Sequence, residues 1–283
     1  MMHMNQVTVV ADDGQLMPAD EVRVSPFDLG LSVGLGVFET MQSYDGRVFA
    51  MDAHMERLAA GAKRLSLSLP SGAEIQHTIG EVLTANNLLV GRGRVRVAVS
   101  DRGGTLTKTS GASRVLVSAV ALDPPMPDAR VVTSPYEFAV HGGLVGVKSA
   151  SYAGHVLAFR DAIARGADEA LLFDAQGRLC EGAMSNVFLV VDGMVMTPAL
   201  DCGCLPGVTR SMIAGICDGL ALGYKECELD RNLLKAADEV FLTSSIREVQ
   251  MVRSVDDGAD LTSEVTGKIA AVYQERVQRE LGL

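Results

Sequence analysis

One stretch constrains the rest of this 283-residue chain: Leu144 to Arg210. A β-rich apolar run ends in a lone lysine, Lys148, and the pattern that follows predicts a helix over 152–165. A second apolar run, 169–174, turns at Ala175-Gln176-Gly177, and Glu181 follows the turn. A strand is expected over 186–191, then an Asp192-Gly193 turn. Leu205-Pro206-Gly207-Val208-Thr209-Arg210 leads into another helix, expected over 207–222. Strand, helix and strand in this order describe a mixed α/β (α+β) chain.

The best linker lies upstream. Asp123-Pro124-Pro125-Met126-Pro127-Asp128 holds three prolines in six residues, which neither a helix interior nor a central strand tolerates. The expected division is therefore residues 1–122, a linker over 123–129, and a second domain over 130–283. In the first part, strands are expected at 7–10, 37–41 and 113–122. A loop spans 25–30, a glycine-rich run 29–36, and Asp45-Gly46 suits a hairpin. Asp52 reads as the cap of a helix ending near Leu65, and 73–86 has helical spacing. Arg94-Val95-Arg96-Val97 alternates charged and apolar positions, as a strand with one solvated or ligand-facing side does. The second part opens on a strand at 130–133. His141-Gly142-Gly143 then approaches Lys148. A short helix at 229–235, a strand at 239–243 and a closing amphipathic helix over 262–281 complete the chain.

Composition excludes several classes of function. The 25 basic residues against 35 acidic ones leave a net charge of −10, which argues against nucleic acid or an anionic membrane as a partner. No run approaches the roughly 18 apolar residues of a membrane span. The start, MMHMNQVTVV, lacks the features of a secretory leader, so a cytoplasmic location is expected. Five cysteines make no disulfide framework, and Cys202-Gly203-Cys204 has no second pair at zinc spacing; buried free thiols are the default.

Lys148 is the first candidate for chemistry. A desolvated lysine loses protonation and becomes the nucleophile that Schiff-base formation requires. Glu181 stands before an apolar strand. A carboxylate facing a pyridine nitrogen keeps that nitrogen protonated and the ring an electron sink. Gly207-Val208-Thr209 opens a helix whose free amides, with the threonine hydroxyl, suit a phosphate. Thr243-Ser244-Ser245 adds hydroxyl donors after a strand, and Arg57 could clamp a phosphate through two parallel hydrogen bonds. Taken singly, each has an ordinary reading as a surface charge or a helix cap. Lysine, carboxylate and helix N-terminus in this order are what a pyridoxal-phosphate site requires. A dehydrogenase is excluded: Lys148-x-x-x-Tyr152 reverses the order of that catalytic pair, and Gly30-x-x-x-Gly34-x-Gly36 is not a dinucleotide fingerprint.

The ordered set closely resembles the fold-type IV pyridoxal-phosphate enzymes, among them branched-chain and D-amino-acid aminotransferases and aminodeoxychorismate lyase. Matching segments include Gly34–Thr40, His54–Leu58, Gly146–Tyr152, Gly166–Leu172, Glu181–Phe188, Thr197-Pro198, Leu205–Arg210 and Thr243–Val249. The resemblance implies a small N-terminal and a larger C-terminal α/β domain with pyridoxal 5′-phosphate as cofactor. Lys148 would be the Schiff-base lysine and proton carrier, and Glu181 the partner of the pyridine nitrogen. Arg57, Gly207, the Val208 and Thr209 amides, Ser244 and Ser245 would contact the phosphate. Leu205 would pack on the ring and Tyr152 would stand near the 3-oxygen. The resemblance also implies a homodimer acting on a small amino acid and a 2-oxo acid.

Val33-Gly34-Leu35-Gly36 departs from the aromatic-Gly-Asp-Gly common in the family, which changes a pocket wall at Val33. Arg96 or Arg102 is the candidate for holding a substrate carboxylate. Three functions remain open on the sequence. The first is an aminotransferase working through a lysine-linked Schiff base in a ping-pong cycle. The second is a lyase that releases pyruvate and an aromatic amine. The third is a member that holds the cofactor without efficient turnover.

Overall fold

The computed structural model describes residues 8–109, 111–139 and 142–283; Val7 and His141, named above, lie outside the described residues. It is a mixed α/β structure in two compact units. The first comprises the chain up to Pro124 together with Val147–Tyr152; the second comprises Pro125–Gly146 and Ala153–Leu283.

In the first unit, β1 (Val9–Asp12) and β2 (Gln15–Pro18) form a hairpin around Asp13-Gly14. A short helix α1 (Leu29–Val33) follows where a loop and a glycine-rich run were expected. Asp28 explains it: its carboxylate accepts from the Leu31 amide at 3.0 Å, and Gly34, at φ +70°, ends the helix in the left-handed region. The chain continues through β3 (Gly36–Tyr44), β4 (Arg47–Val48), α2 (Met51–Arg64), α3 (Gly72–Ala85) and β5 (Arg92–Asp101). A two-strand ribbon, β6 (Gly104–Thr105) with β7 (Lys108–Thr109), precedes β8 (Ser113–Ala121). The sheet is ordered β2-β1-β8-β5-β3-β4, antiparallel throughout.

Asp52 does not cap α2. Ala50 holds the cap position without a side-chain bond, and Asp52 sits in the first turn, where its charge favours the helix dipole. Ser71 and Glu74 close a capping box on α3. Leu58 and Ala62 of α2 and Ile75, Ile79, Val82 and Leu83 of α3 are buried with Val95, Val97 and Val99 of β5. A fully buried Leu, Ile or Val contributes ~1.5–3 kcal/mol. This burial dictates the orientation of β5: with its valines inward, Arg94 and Arg96 are exposed on the opposite face.

Lys148 does not end a strand, as its apolar approach suggested. A turn over 143–146 precedes it, and 147–150 lies along the outer edge of β3. β4 pairs only with Ser43 and Tyr44, which leaves the beginning of β3 open on that side. The segment fills the gap. The Phe38 amide donates to the Lys148 carbonyl at 2.9 Å, the Ala150 amide donates to the Gly36 carbonyl at 2.7 Å, and Val37 bridges to Ser149.

The second unit begins with β9 (Asp128–Glu137), which takes in Asp128 and Ala129 from the expected linker. Then come α4 (Ala153–Ala164), β10 (Glu169–Phe173), β11 (Leu179–Gly182), β12 (Asn186–Val191), β13 (Met194–Pro198) and α5 (Val208–Gly219). β14 (Gly223–Cys227), α6 (Arg231–Ala236), β15 (Glu239–Ser244), β16 (Glu248–Val255) and α7 (Glu264–Leu281) finish the chain. The mixed sheet is ordered β11-β10-β9-β16-β15-β12-β13-β14, with three parallel pairings: β9 with β10, β9 with β16, and β13 with β14. Strands β2, β6, β7, β11, β13, β14 and β16 were not expected. β14 is a largely exposed edge strand without alternation, and β16 buries Glu248, Gln250 and Ser254. Neither pattern marks a strand in isolation. α6 starts two residues late because Asp230 caps it through the Asn232 and Leu233 amides.

All five thiols are free, and Cys180, Cys202 and Cys204 are buried together. Among the described residues no cluster is suited to a metal, and no helix is long and apolar enough to cross a membrane.

Gly34 carries a demand that no other residue type meets: a positive φ, with Ser151 Oγ only 2.6 Å from where a Cβ would stand. Gly34→Ala is expected to cost ~1–3 kcal/mol, read as a lowered thermal midpoint.

Candidate active site

The pairing on β3 sets the geometry around Lys148. Its Nζ lies 4.5 Å from the Phe38 ring centroid and 5.4 Å from that of Tyr152. The two rings meet edge to face, with centroids 5.4 Å apart and planes at 88°. The Arg96 guanidinium stands 3.8 Å from the Phe38 centroid. Aromatic faces attract cations, so Phe38 organises both groups, and the burial of β3 keeps it only 5% exposed. A primary amine, a phenol and a guanidinium thus gather around one ring.

The neighbouring residue on β3 is charged and fully buried. Glu39 accepts two hydrogen bonds from Arg57, Nε at 2.7 Å and Nη2 at 2.7 Å, and one from His54 Nδ1 at 2.8 Å. His54 and Arg57 are three residues apart on α2 and share a face. Burial alone would raise the Glu39 carboxyl; the Arg57 and His54 contacts outweigh it and bring it down to about 2. Arg57 is therefore clamped by the Glu39 carboxylate through two hydrogen bonds.

The second unit presents a different set. Glu181, on β11, is 5% exposed. Its Oε2 accepts from the Leu205 amide at 2.9 Å, and its Oε1 lies 3.3 Å from His155 Nε2 in the first turn of α4. Asn186 Nδ2 donates to the Leu205 carbonyl at 2.9 Å, so Leu205 is held through both its amide and its carbonyl. At the start of α5, Gly207 occupies the cap position with no side chain to bond the first amides. A Cβ there would strike Asn186 Oδ1, so only glycine fits. The Thr209 hydroxyl is hydrogen-bonded to the buried Tyr273 of α7.

After β15, the Ser244 hydroxyl accepts from the Arg247 amide at 3.0 Å, and Ser245 begins the turn. Thr243 Oγ1, immediately before, is buried with no hydrogen-bond partner among the described residues. Arg247 reaches Glu169 at 3.5 Å and the Asp168 carbonyl at 2.6 Å. Burial pushes the Glu169 carboxyl up, against the pull of Arg247. Glu169 also accepts from Ser185 Oγ at 3.0 Å and from the Met184 amide. One buried carboxylate thus ties the loop after Glu181 to the loop carrying Ser244 and Ser245.

Of the substrate candidates, Arg96 stands beside Phe38, while Arg102 is paired with Asp13 of the β1–β2 turn. Val33 ends α1 and is exposed. Phe38, Glu39, His155, Asn186 and Glu169 were not singled out from the sequence. The i, i+3 spacing of His54 and Arg57 was the one local sign that a carboxylate was needed nearby.

An α/β chain with a lysine set against aromatic rings, a buried carboxylate and an uncapped helix start has the residue types that an aminotransferase uses. The chain belongs to the class IV amino-transferases, whose family model matches residues 36–255. It is 31% identical to a putative branched-chain-amino-acid aminotransferase of Methanocaldococcus jannaschii, over 93% of each chain. It is 30% identical to an aminodeoxychorismate lyase of Bacillus subtilis, over 94% of each chain. Among solved structures, the branched-chain aminotransferase of Thermoproteus uzoniensis with norvaline superposes with a TM-score of 0.89 at 28% identity, covering 97% of this chain and 96% of that one. A T.th. branched-chain amino acid aminotransferase complexed with N-(5′-phosphopyridoxyl)-L-glutamate gives 0.87 at 26% identity, over 97% and 95% of the two chains.

The Glu39 cluster makes a pH prediction. A carboxyl held at about 2 in the fold, against its usual 4.5, adds stability that is complete above 4.5 and lost as the pH falls from 4.5 toward 2. Glu39→Gln is expected to lose ~3 kcal/mol at neutral pH and to show a flatter acid-unfolding curve over that window, followed by denaturant titration.

Proposed function

We propose that this enzyme holds pyridoxal 5′-phosphate and moves an amino group between a branched-chain amino acid and a 2-oxo acid. The observation that carries the reading is the Lys148 amine, set 4.5 Å from the Phe38 ring centroid and 5.4 Å from that of Tyr152. Three features of the second unit fit the cofactor's phosphate: the glycine-only start of α5, its amides without a capping side chain, and the unpartnered buried hydroxyl of Thr243. When bound, the group supplies an electron sink for the carbanion at the substrate Cα.

The chain's residues do the rest. Lys148 is the attachment point and afterwards carries the proton to and from the substrate Cα. Glu181, whose oxygens face two donors, takes the pyridine N–H. Arg57 and the Val208 and Thr209 amides, with Ser244 and Ser245, hold the phosphate; Leu205 packs on the ring, and Tyr152 stands at the 3-oxygen. Arg96, whose guanidinium stands beside Phe38, takes the substrate carboxylate. Arg102, engaged by Asp13, is left out of this assignment.

The branched-chain preference is supported by the curated relatives and solved structures that carry that name. A homodimer is part of the proposal, supported by the exposed Val24, Phe27, Leu31 and Val33 gathered along one segment of the first unit.

The test is the holoenzyme's visible absorption and turnover with L-leucine, L-glutamate, D-alanine or aminodeoxychorismate, each with and without a 2-oxo acid. The expected result is bleaching of the visible band by L-leucine and turnover that requires the acceptor. Lys148→Ala should abolish both the band and the turnover. Pyruvate released from aminodeoxychorismate without an acceptor would move the assignment to the lyase, the activity of the Bacillus subtilis relative.

A further inference from the structure

The Glu181 carboxylate is held from two directions by donors that differ in kind. One is a main-chain amide, Leu205 N–H on Oε2 at 2.9 Å; the other is an imidazole, His155 Nε2 on Oε1 at 3.3 Å. An ionised carboxylate only accepts, so His155 must carry its proton on Nε2. The imidazole is itself braced. The Phe138 ring meets it edge to face, with centroids 5.3 Å apart and planes at 79°. Phe138 is in turn fixed by its amide, which donates to the Phe173 carbonyl at 2.8 Å. His155 sits in the first turn of α4, and Phe138 follows β9, so the brace and the donor come from separate elements.

We propose that His155 is a positioning residue for the amino-transfer reaction: it orients Glu181, so that a lone pair of the carboxylate remains aimed at a protonated pyridine nitrogen. The proposal rests on the assignment of Glu181 to that nitrogen. Its physical basis is the scarcity of water at a carboxylate 5% exposed. Each oxygen of a buried carboxylate needs a donor to be satisfied and to stay in one rotamer. The Leu205 amide serves only Oε2. Without His155, Oε1 loses the donor that the structure gives it, and the carboxylate is free to turn about the remaining bond. A ligand with a single N–H to offer would then meet a group that is not fixed.

The test uses three single variants and one double variant of the holoenzyme: His155→Leu, His155→Gln, Glu181→Gln, and His155→Leu with Glu181→Gln. Readouts are pyridoxal phosphate affinity by reconstitution titration, the position of the visible band, and kcat with KM for the amino donor. His155→Leu is expected to weaken cofactor affinity about tenfold or more and to lower kcat while leaving KM near the wild-type value. His155→Gln, which keeps a neutral N–H of similar reach, is expected to recover most of both. The double variant is expected to be no worse than Glu181→Gln alone, because His155 acts through that carboxylate.

Wild-type affinity, spectrum and kcat in His155→Leu, alongside a damaged Glu181→Gln, would overturn the role of His155 and leave the cofactor assignment standing. Additive losses in the double variant, or no recovery in a folded His155→Gln, would also overturn it. An unaltered Glu181→Gln would remove the assignment of Glu181 and the proposal with it.

Discussion

Two main-chain hydrogen bonds along the outer edge of β3 decide where the Lys148 amine stands. Because β4 is only two residues long, the first part of β3 has unpaired donors and acceptors on that side. Unsatisfied backbone groups beside a buried strand are costly, and 147–150 satisfies them. The consequence is chemical as well as structural. Lys148 contributes its carbonyl to the sheet edge, and its side chain is delivered to the rings of Phe38 and Tyr152. A residue far along the chain thereby becomes part of the first compact unit.

β3 carries a second burden at its next position. Glu39 is fully buried, a placement sustained only because Arg57 and His54 surround it. Such clusters add little net stability compared with apolar packing, yet they fix geometry tightly. Here the geometry fixed is that of a guanidinium: Arg57 is oriented by its carboxylate. In the second unit Glu169 does the comparable task for two loops, joining the Met184-Ser185 turn to Arg247. Both units use a buried carboxylate to hold cationic or polar groups in place without water.

How much of this was legible beforehand depends on the range over which each signal acts. The helices over 72–85, 153–164 and 208–219 followed from local apolar spacing and turn residues, as did the alternating strand around Arg94 and Arg96. The edge strand β14 and the polar-lined β16 did not, because their burial is imposed by partners distant in sequence. α1 was missed because a single side chain, Asp28, stabilises a turn that glycines would otherwise leave irregular.

The order of Lys148, Glu181 and the Leu205–Arg210 run was in the sequence itself, since reactive side-chain types and a glycine before a helix are local properties. So were the family's motifs, and with them the chemistry they indicate. What tertiary structure alone decided is which partner each group meets. Phe38 faces the amine, Glu39 and His54 aim Arg57, and His155 joins Leu205 on the Glu181 carboxylate. Those pairings arise from strand register and from helices packed across long sequence separations. No local pattern of residues encodes which side chains such packing brings within hydrogen-bonding reach.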